Sequence, residues 1–297
     1  VALNRYRFYL GPLGSVAALP AFTKPGAITI GGPSITSPAA TPVMLGVQHT
    51  SLSGRQTYDR FATKRSWQFQ WGYLHESDMA QLEACYRIFQ SSSSIYLLDA
   101  RRKNALSYQV SSGGSEWQST AGFTASAGTL AWSSALTIHS DVSGLIPGGQ
   151  VWTPTASGQT LLSGLVPVVA GSYYTLSVYA SGSGTASLIV VPYNAAGGAL
   201  TATTGTAVTL SSTPARYSLP VYYPISGAAS LLVGLQSLSA GTTNTYGWQL
   251  EMDQAMSAFS FGNGFPQVII PTMTIQYPRY GKVDGARLAV AMTAMEV

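Results

Sequence analysis

Residues 173–180, YYTLSVYA, alternate strictly, with Leu176 and Val178 on one side and Tyr173, Thr175, Ser177 and Tyr179 on the other. A period of two sets one face of a strand on a core and leaves the other polar. The pattern recurs nearby. SLIVVPY (187–193) is a near-continuous apolar run ending at Pro192 and Tyr193, and SLLVGL (230–235) places Leu231, Val233 and Leu235 together. TYGWQLE (245–251) predicts Tyr246, Trp248 and Leu250 on one face and Gly247, Gln249 and Glu251 on the other. Separated by Gly, Ser, Thr and Pro turns, these strands predict two packed sheets.

Charge marks off this region from the rest. Between Leu106 and Leu250 the chain carries one basic residue, Arg216, and two acids, Glu116 and Asp141; the flanks carry 14 basic and 9 acidic residues. The middle is therefore −1 and the flanks +5. Because the charged composition resumes after the middle, the simplest organisation is an insertion: an outer domain, 1–105 plus 253–297, interrupted by an inserted domain, 106–252. Charged residues make up only 9% of the 297, so solubility rests on Ser, Thr, Asn, Gln and Gly, as suits a particle component or a secreted binding module.

The outer part predicts a β-sandwich domain with one helix. RYRFYL (5–10) is expected as a first strand; Gly11, Pro12, Gly14 and Pro20 interrupt the apolar stretch that follows and disfavour a signal-peptide reading. Residues 66–71 set Trp67, Phe69 and Trp71 on one face of a strand. Met79, Leu82, Tyr86 and Phe89 then recur at helical spacing behind Ser77, an expected N-cap, giving a helix over 78–90. IYLLD (95–99) and the alternating GARLAVAMTAMEV (285–297) are expected strands. No run of 18 apolar residues exists, so no membrane insertion is expected. Cys85 is the only cysteine, which excludes an intrachain disulfide and suits folding in a reducing cytosol.

The sequence offers no catalytic constellation, and no enzymatic activity is expected. His49, His75 and His139 lack a second His or Cys at ligand spacing, so no metal site is predicted. Cys85 sits mid-helix without a motif and is expected to be a buried structural thiol. There is no G-x-S-x-G elbow, no S-x-x-K pair and no phosphate-binding loop at Lys282. GNGFPQ (262–267) is expected to be a turn, and Glu251 and Asp253 have no recognisable carboxylate partner for glycoside hydrolysis.

Two stretches resemble known families. LSGRQTYDRFATKRSWQFQWGYL (52–74), a helix and IYLLDARRKN (95–104) are similar to the N-terminal part of distal and minor tail proteins of long-tailed bacteriophages. Arg65, Ser66, Trp67, Asp99 and Asn104 carry the match, Ala100 replaces the usual proline, and AMTAMEV (291–297) resembles the family's final strand. GSYYTLSVYASG (171–182), VTLSSTPARYSLPVYYP (208–224) and YGWQLEMDQAMSAFSFGNGFPQV (246–268) resemble jelly-roll carbohydrate-binding modules. The first resemblance implies a homo-oligomeric ring, usually of six copies, at the tail tip of a virion assembled in the host cytoplasm. Its implied partners are the tail tube protein and other tail-tip or baseplate proteins. The second implies an outward module for host-surface glycans. The alternative is a stand-alone secreted carbohydrate-binding protein.

Recognition of a sugar needs an aromatic face for its C–H groups and amides or carboxylates for its hydroxyls. Trp248 alternates with core residues and is assigned to the core. Tyr173 and Tyr179, on the polar face, Gln249 and Glu251, opposite Trp248, and Tyr193 and Asn194, beyond Pro192, are the surface candidates. Modules of this kind often hold a structural calcium, but Glu116, Asp141 and Glu251 do not define a site, and no other cofactor is implied. The basic cluster Arg55, Arg60, Lys64 and Arg65 has three readings: a nucleic-acid surface, a solvated loop or a subunit interface. A basic lumen would hold phosphates through counterion release and oppose passage of DNA, so the interface is preferred and no specific nucleic-acid binding is expected.

Overall fold

The computed structural model describes residues 8–13, 16–19, 39–50, 56–74, 76–90, 94–99, 102–169, 171–223, 227–262, 265–276 and 288–297. The chain divides into two compact units. One is built on Leu98–Phe265 with short N-terminal stretches, the other on Ala18–Leu97 and Pro266–Val297 with Leu10–Pro12. The protein is mainly β, in three antiparallel sheets.

In chain order, the first elements are β1 (Phe8–Pro12), β2 (Ala17–Ala18), β3 (Ala39–Thr50), β4 (Gln56–Leu74), α1 (Glu76–Gln90) and β5 (Ile95–Asp99). Then come α2 (Tyr108–Ser111), β6 (Phe123–Ala125), β7 (Thr129–Ser133), β8 (Gly149–Thr153), β9 (Thr160–Ser163), β10 (Val166–Pro167), β11 (Ser172–Gly182) and β12 (Thr185–Asn194). The chain continues through β13 (Thr203–Thr204), β14 (Val208–Thr209), β15 (Ala215–Tyr223), β16 (Ala228–Ser237), β17 (Thr243–Glu251), β18 (Gln267–Gln276) and β19 (Leu288–Glu296).

The outer unit holds a seven-stranded sheet, ordered β2-β1-β5-β18-β19-β4-β3. The predicted alternation on β4 is realised: Trp67, Phe69 and Trp71 are buried while Gln68 and Gln70 are exposed. On β19, Val290, Met292 and Ala294 are buried and face the same way. α1 packs on β18 and β19 and buries Met79, Leu82 and Cys85. It begins at Glu76, so Ser77 lies within the first turn and is not its N-cap. Burial pushes the Cys85 thiol up to about 11, which keeps it protonated and unreactive at neutral pH. Of the expected strand 5–10, residues 5–7 lie outside the described residues, as does His75.

β4 and β3 form a hairpin longer than the sheet that carries it. β19 pairs with β4 only from Ser66 to Leu74, whereas β3 pairs with β4 from Ala39↔Gln68 out to Thr50↔Gln56. The stretch from Val43↔Lys64 to Thr50↔Gln56 is thus a two-stranded ribbon with no third strand among the described residues. At its root Arg65 Nε donates to Glu296 Oε2 at 2.9 Å, and the guanidinium lies 5.0 Å from the centre of the Trp67 ring.

The central unit is a sandwich. One sheet runs β13-β12-β16-β9-β6, with β10 on β16 and β14 on β12; the other runs β15-β11-β17-β8-β7. Leu188, Val190, Leu231, Val233 and Leu235 from the first, and Leu176, Val178, Trp152, Trp248 and Leu250 from the second, are buried. The Phe123 ring on β6 meets the Trp248 ring on β17 at 5.7 Å, joining the two layers through the core.

Both chain ends of this unit are tied by one amide. Asn104, 1% exposed, donates from Nδ2 to the carbonyls of Trp248 and Ser260, each at 2.9 Å. Its Oδ1 accepts the N–H groups of Leu106 and Leu250, each at 3.1 Å. Entry segment, central strand and exit segment meet at that side chain, and the Ala105 N–H adds a bond to the Leu250 carbonyl at 2.8 Å.

Two consequences are measurable by urea denaturation. Asn104→Ala strands buried backbone groups of three segments and is expected to cost about 3 kcal/mol or more. Arg65→Ala leaves Glu296 without its half-buried partner and is expected to cost about 1–2 kcal/mol.

Candidate functional site

The surface candidates Tyr173, Tyr179, Gln249 and Glu251 belong to the face of the β15-β11-β17-β8-β7 sheet that points away from Trp248. The register sets Ser177 opposite Gln249, Thr175 opposite Glu251 and Tyr179 opposite Tyr246. The last pairing corrects the expected grouping of Tyr246 with Trp248. The register shifts between Ser177 and Tyr179, and Gly247 takes a φ of +58°, so the strand gains a residue and Tyr246 turns to the Tyr179 side. A Cβ at Gly247 would lie 2.8 Å from Tyr179 Cδ2, so both the backbone and the packing require glycine. The two tyrosine rings stack at 5.8 Å with planes 2° apart.

This face is covered, and the reading of Tyr179, Gln249 and Glu251 as surface residues is overturned: they are 1%, 0% and 3% exposed. After β17 the chain folds back over it. Gln249 Oε1 accepts the Ser260 N–H at 2.9 Å, Glu251 Oε1 accepts the Ser257 N–H at 2.9 Å, and Thr175 Oγ1 donates to the Asp253 carbonyl at 2.7 Å. Arg216 donates to the Ser257 carbonyl at 2.6 Å and to Ser177 Oγ at 2.9 Å, and its guanidinium lies 5.4 Å from the Tyr179 ring centre. Side chains expected to grip a ligand grip the protein's own backbone.

Farther along the face the 134–146 segment takes over. Val142, Ile146, Tyr179 and Tyr246 form a buried cluster, flanked by Leu136, Ile138, Phe259 and Phe261. Tyr179 Oη donates to Asp141 Oδ2 at 3.0 Å. Tyr246 Oη accepts the His139 N–H at 2.8 Å and donates to the Thr137 carbonyl at 3.2 Å.

The remaining candidates lie apart from this cluster. Tyr173 is half-buried at the start of β11. Tyr193 and Asn194 end β12, in the other sheet; Asn194 Oδ1 accepts the N–H groups of Ala196 at 3.0 Å and Gly198 at 2.8 Å, which shapes its own turn. Among the basic residues, Arg65 and Lys64 are partly buried; Arg60 lies on β4, and Arg55 is outside the described residues. Among the described residues no three His, Cys, Asp or Glu side chains come together as a metal site.

Beside the 134–146 segment lies a groove of about 350 Å³, lined by Thr137, Ser181, Ser183, Ser212, Thr242 and Asn244. Ala135, Leu136 and Gly182 complete the lining, which carries no charge. Asn244 Nδ2 stands 3.5 Å from Ser181 Oγ. An uncharged recess of hydroxyls and one amide, beside the apolar Leu136, matches a small neutral polyol. Sequence reading missed these residues because Ser and Thr fill the whole region and nothing distinguishes those that line a recess.

No family model matches the chain, and no curated protein matches it. Among solved structures, the enzymatically active domain of bacteriophage CBA120 tailspike protein 4 is similar at 13% identity and a TM-score of 0.41, over 50% of this chain and 21% of that one. The CBM22-1 xylan-binding domain of Paenibacillus barcinonensis Xyn10C is similar at 15% identity and a TM-score of 0.37, over 48% and 92%. TmCBM61, solved with β-1,4-galactotriose, is similar at 12% identity and a TM-score of 0.36, over 51% and 100%. The chain thus spans about a fifth of the length of that tailspike domain.

Burial raises the pKa of Tyr179 above the ordinary tyrosine value, with its hydrogen bond to Asp141 adding and Arg216 opposing; burial also raises Tyr246, against the His139 N–H. The neutral phenol is favoured in the fold, so its stabilising contribution is complete below the ordinary value of about 10 and lost as pH rises through the native value. Urea midpoints are expected to fall above about pH 10, and less steeply in Tyr179→Phe. Ultraviolet titration showing every tyrosine ionising at its ordinary pH in the folded chain would contradict this.

Proposed function

We propose that this chain is a structural, non-enzymatic protein of a long-tailed bacteriophage tail, a distal or minor tail protein that assembles with copies of itself and displays a sandwich for neutral host-surface glycans. The observation that carries the assembly half is the β3–β4 ribbon. A hairpin isolated from other strands is marginal in water, and the twelve-residue β3 has no strand on its outer edge among the described residues, an edge at which a further strand can pair. Pairing with another copy satisfies both. Arg60 and Lys64 belong to this ribbon, and with Arg55, which lies outside the described residues, they are the basic residues that this reading assigns to the choice of neighbour; Arg65 at the root already holds Glu296. Other tail-tip proteins and the tail tube protein are the further partners of this reading.

The glycan half rests on the neutral groove. Its hydroxyls and amide exchange hydrogen bonds with sugar hydroxyls without the desolvation cost of a buried charge. A second reading, a stand-alone secreted carbohydrate-binding protein, draws on the same groove and needs no ribbon; finding the chain in purified virions eliminates it.

Replacing residues 46–61 with Asn-Gly closes the hairpin where Leu45 pairs with Ala62. The expected product is folded by circular dichroism and monomeric by light scattering, whereas the parent forms closed oligomers alone or with tail tube protein. A parent that stays monomeric under both conditions sinks the assembly reading. On a glycan array the parent is expected to bind neutral saccharides, and Asn244→Ala to bind about tenfold more weakly, a loss of one good hydrogen bond. Release of reducing ends from a bound polysaccharide would overturn the non-enzymatic assignment.

A further inference from the structure

Trp117 is the most exposed large apolar side chain among the described residues, at 63%. The loop that presents it is held from every side. The Trp117 N–H donates to Gln109 Oε1 at 3.2 Å, and Gln109 Nε2 donates to the Ala121 carbonyl at 3.1 Å and Ser119 Oγ at 3.3 Å. Gln150, fully buried, donates from Nε2 to the carbonyls of Gly113 at 3.0 Å and Ser119 at 2.9 Å. Ser115 Oγ lies within bonding distance of the carbonyls of Ser112 at 2.9 Å and Gly148 at 3.1 Å. Gly114, at φ +87°, leaves the space that Gln150 uses: a Cβ there would sit 2.1 Å from Gln150 Nε2.

The next residue is strained. Gln118 has a φ of +49° and is the one non-glycine with positive φ among the described residues. Glutamine gains nothing locally from the left-handed region, and such outliers persist where the surroundings impose them, clustering at active sites, ligand clamps and switch regions. Here the imposed turn lifts a bare indole to the surface between two hydrogen-bonding side chains, Glu116 and Gln118, both exposed.

We propose that Trp117 is a stacking platform for a pyranose ring, with Glu116 and Gln118 receiving the ring hydroxyls, in a second glycan contact separate in its residues from the neutral groove. The proposal rests on the glycan-binding reading above. An indole face takes the C–H side of a sugar, while the flanking carboxylate and amide match its rim of hydroxyls. A protein-binding hot spot would instead need neighbours that exclude water around the aromatic anchor. The flanks of Trp117 are hydrophilic and exposed, and favour the sugar. A rigid loop also avoids the ordering cost that weakens contacts made by mobile ones.

The test uses the full chain with xylohexaose, cellohexaose, β-1,4-galactotriose and a broader glycan array as probes. A binding saccharide is expected to shift tryptophan emission to the blue and to protect Trp117 from acrylamide quenching. Trp117→Ala should weaken binding about tenfold or more, Trp117→Tyr should restore part of it, and Asn244→Ala should leave the spectral shift in place. Binding by the parent with Trp117→Ala unaffected overturns the platform and leaves the groove reading intact. No binding of any glycan by the parent overturns both. Protection of Trp117 that grows with protein concentration in the absence of glycan assigns it to a contact between copies and also overturns the proposal.

Discussion

A single buried amide organises the central unit. Asn104 uses both donors and accepts two backbone N–H groups, so that the segment entering the sandwich, the middle of its central strand and the segment leaving it are fixed to one another. Few side chains make this arrangement. Asp lacks the donors, Gln reaches too far, and an apolar residue removes all four bonds, three of them buried. Since a sandwich of this kind must close around its chain ends, a fixed crossing point also sets how the exit segment lies. That segment, from Asp253 to Phe261, is the one laid across the sheet.

The covered face follows from this crossing. Thr175, Ser177, Gln249 and Glu251 are polar by sequence and buried by structure, a combination tolerated only when each finds partners. Thr175, Gln249 and Glu251 find them in the backbone of the exit segment, and Ser177 in Arg216, which also donates to the Ser257 carbonyl and so bridges that segment to the strand. A polar strip on a sheet reads as solvent-facing or ligand-facing in any sequence pattern, yet the backbone of the same chain has the same donors and acceptors as a ligand. The chemistry that suggested sugar recognition at Gln249 and Glu251 is thus satisfied internally, and accessible polar side chains lie beside the covering segments, at Thr137, Ser183, Ser212 and the partly buried Asn244.

These particulars show what pattern reading reaches. Alternation placed the buried and exposed residues of β4, and the buried Leu231, Val233 and Leu235 of β16, correctly because period two is a property of the backbone; on β11 it assigned Leu176 and Val178 to the core but could not see that the opposite face is covered too. Trp248 was assigned to the core for the same reason. Tyr246 was misplaced because one glycine in the left-handed region adds a residue to its strand, and a Gly in a strand pattern signals a bulge without saying which way the neighbours turn. Asn104 was noted only as part of a motif; three of its four bonds join residues more than 140 positions apart and have no local signature. Trp117 lies in a loop without period, and its exposure depends on Gln109 and Gln150, whose role no spacing rule describes.

Low charge ties these features together. With few ion pairs to use, the sandwich is rigidified by side-chain amides and hydroxyls bonded to backbone: Asn104, Gln109, Gln150, Gln249, Ser111 and Asn194 each fix a turn or a crossing. Such bonds are individually worth about 1 kcal/mol, but they are short, directional and insensitive to salt. A neutral saccharide likewise offers a receptor no charge and many weak, directional contacts, so recognition depends on how little the receptor moves when bound. The construction that makes this unit rigid is therefore the one that a neutral-glycan surface requires, and a scaffold of exposed ion pairs would supply neither the fixed geometry nor the indifference to ionic strength.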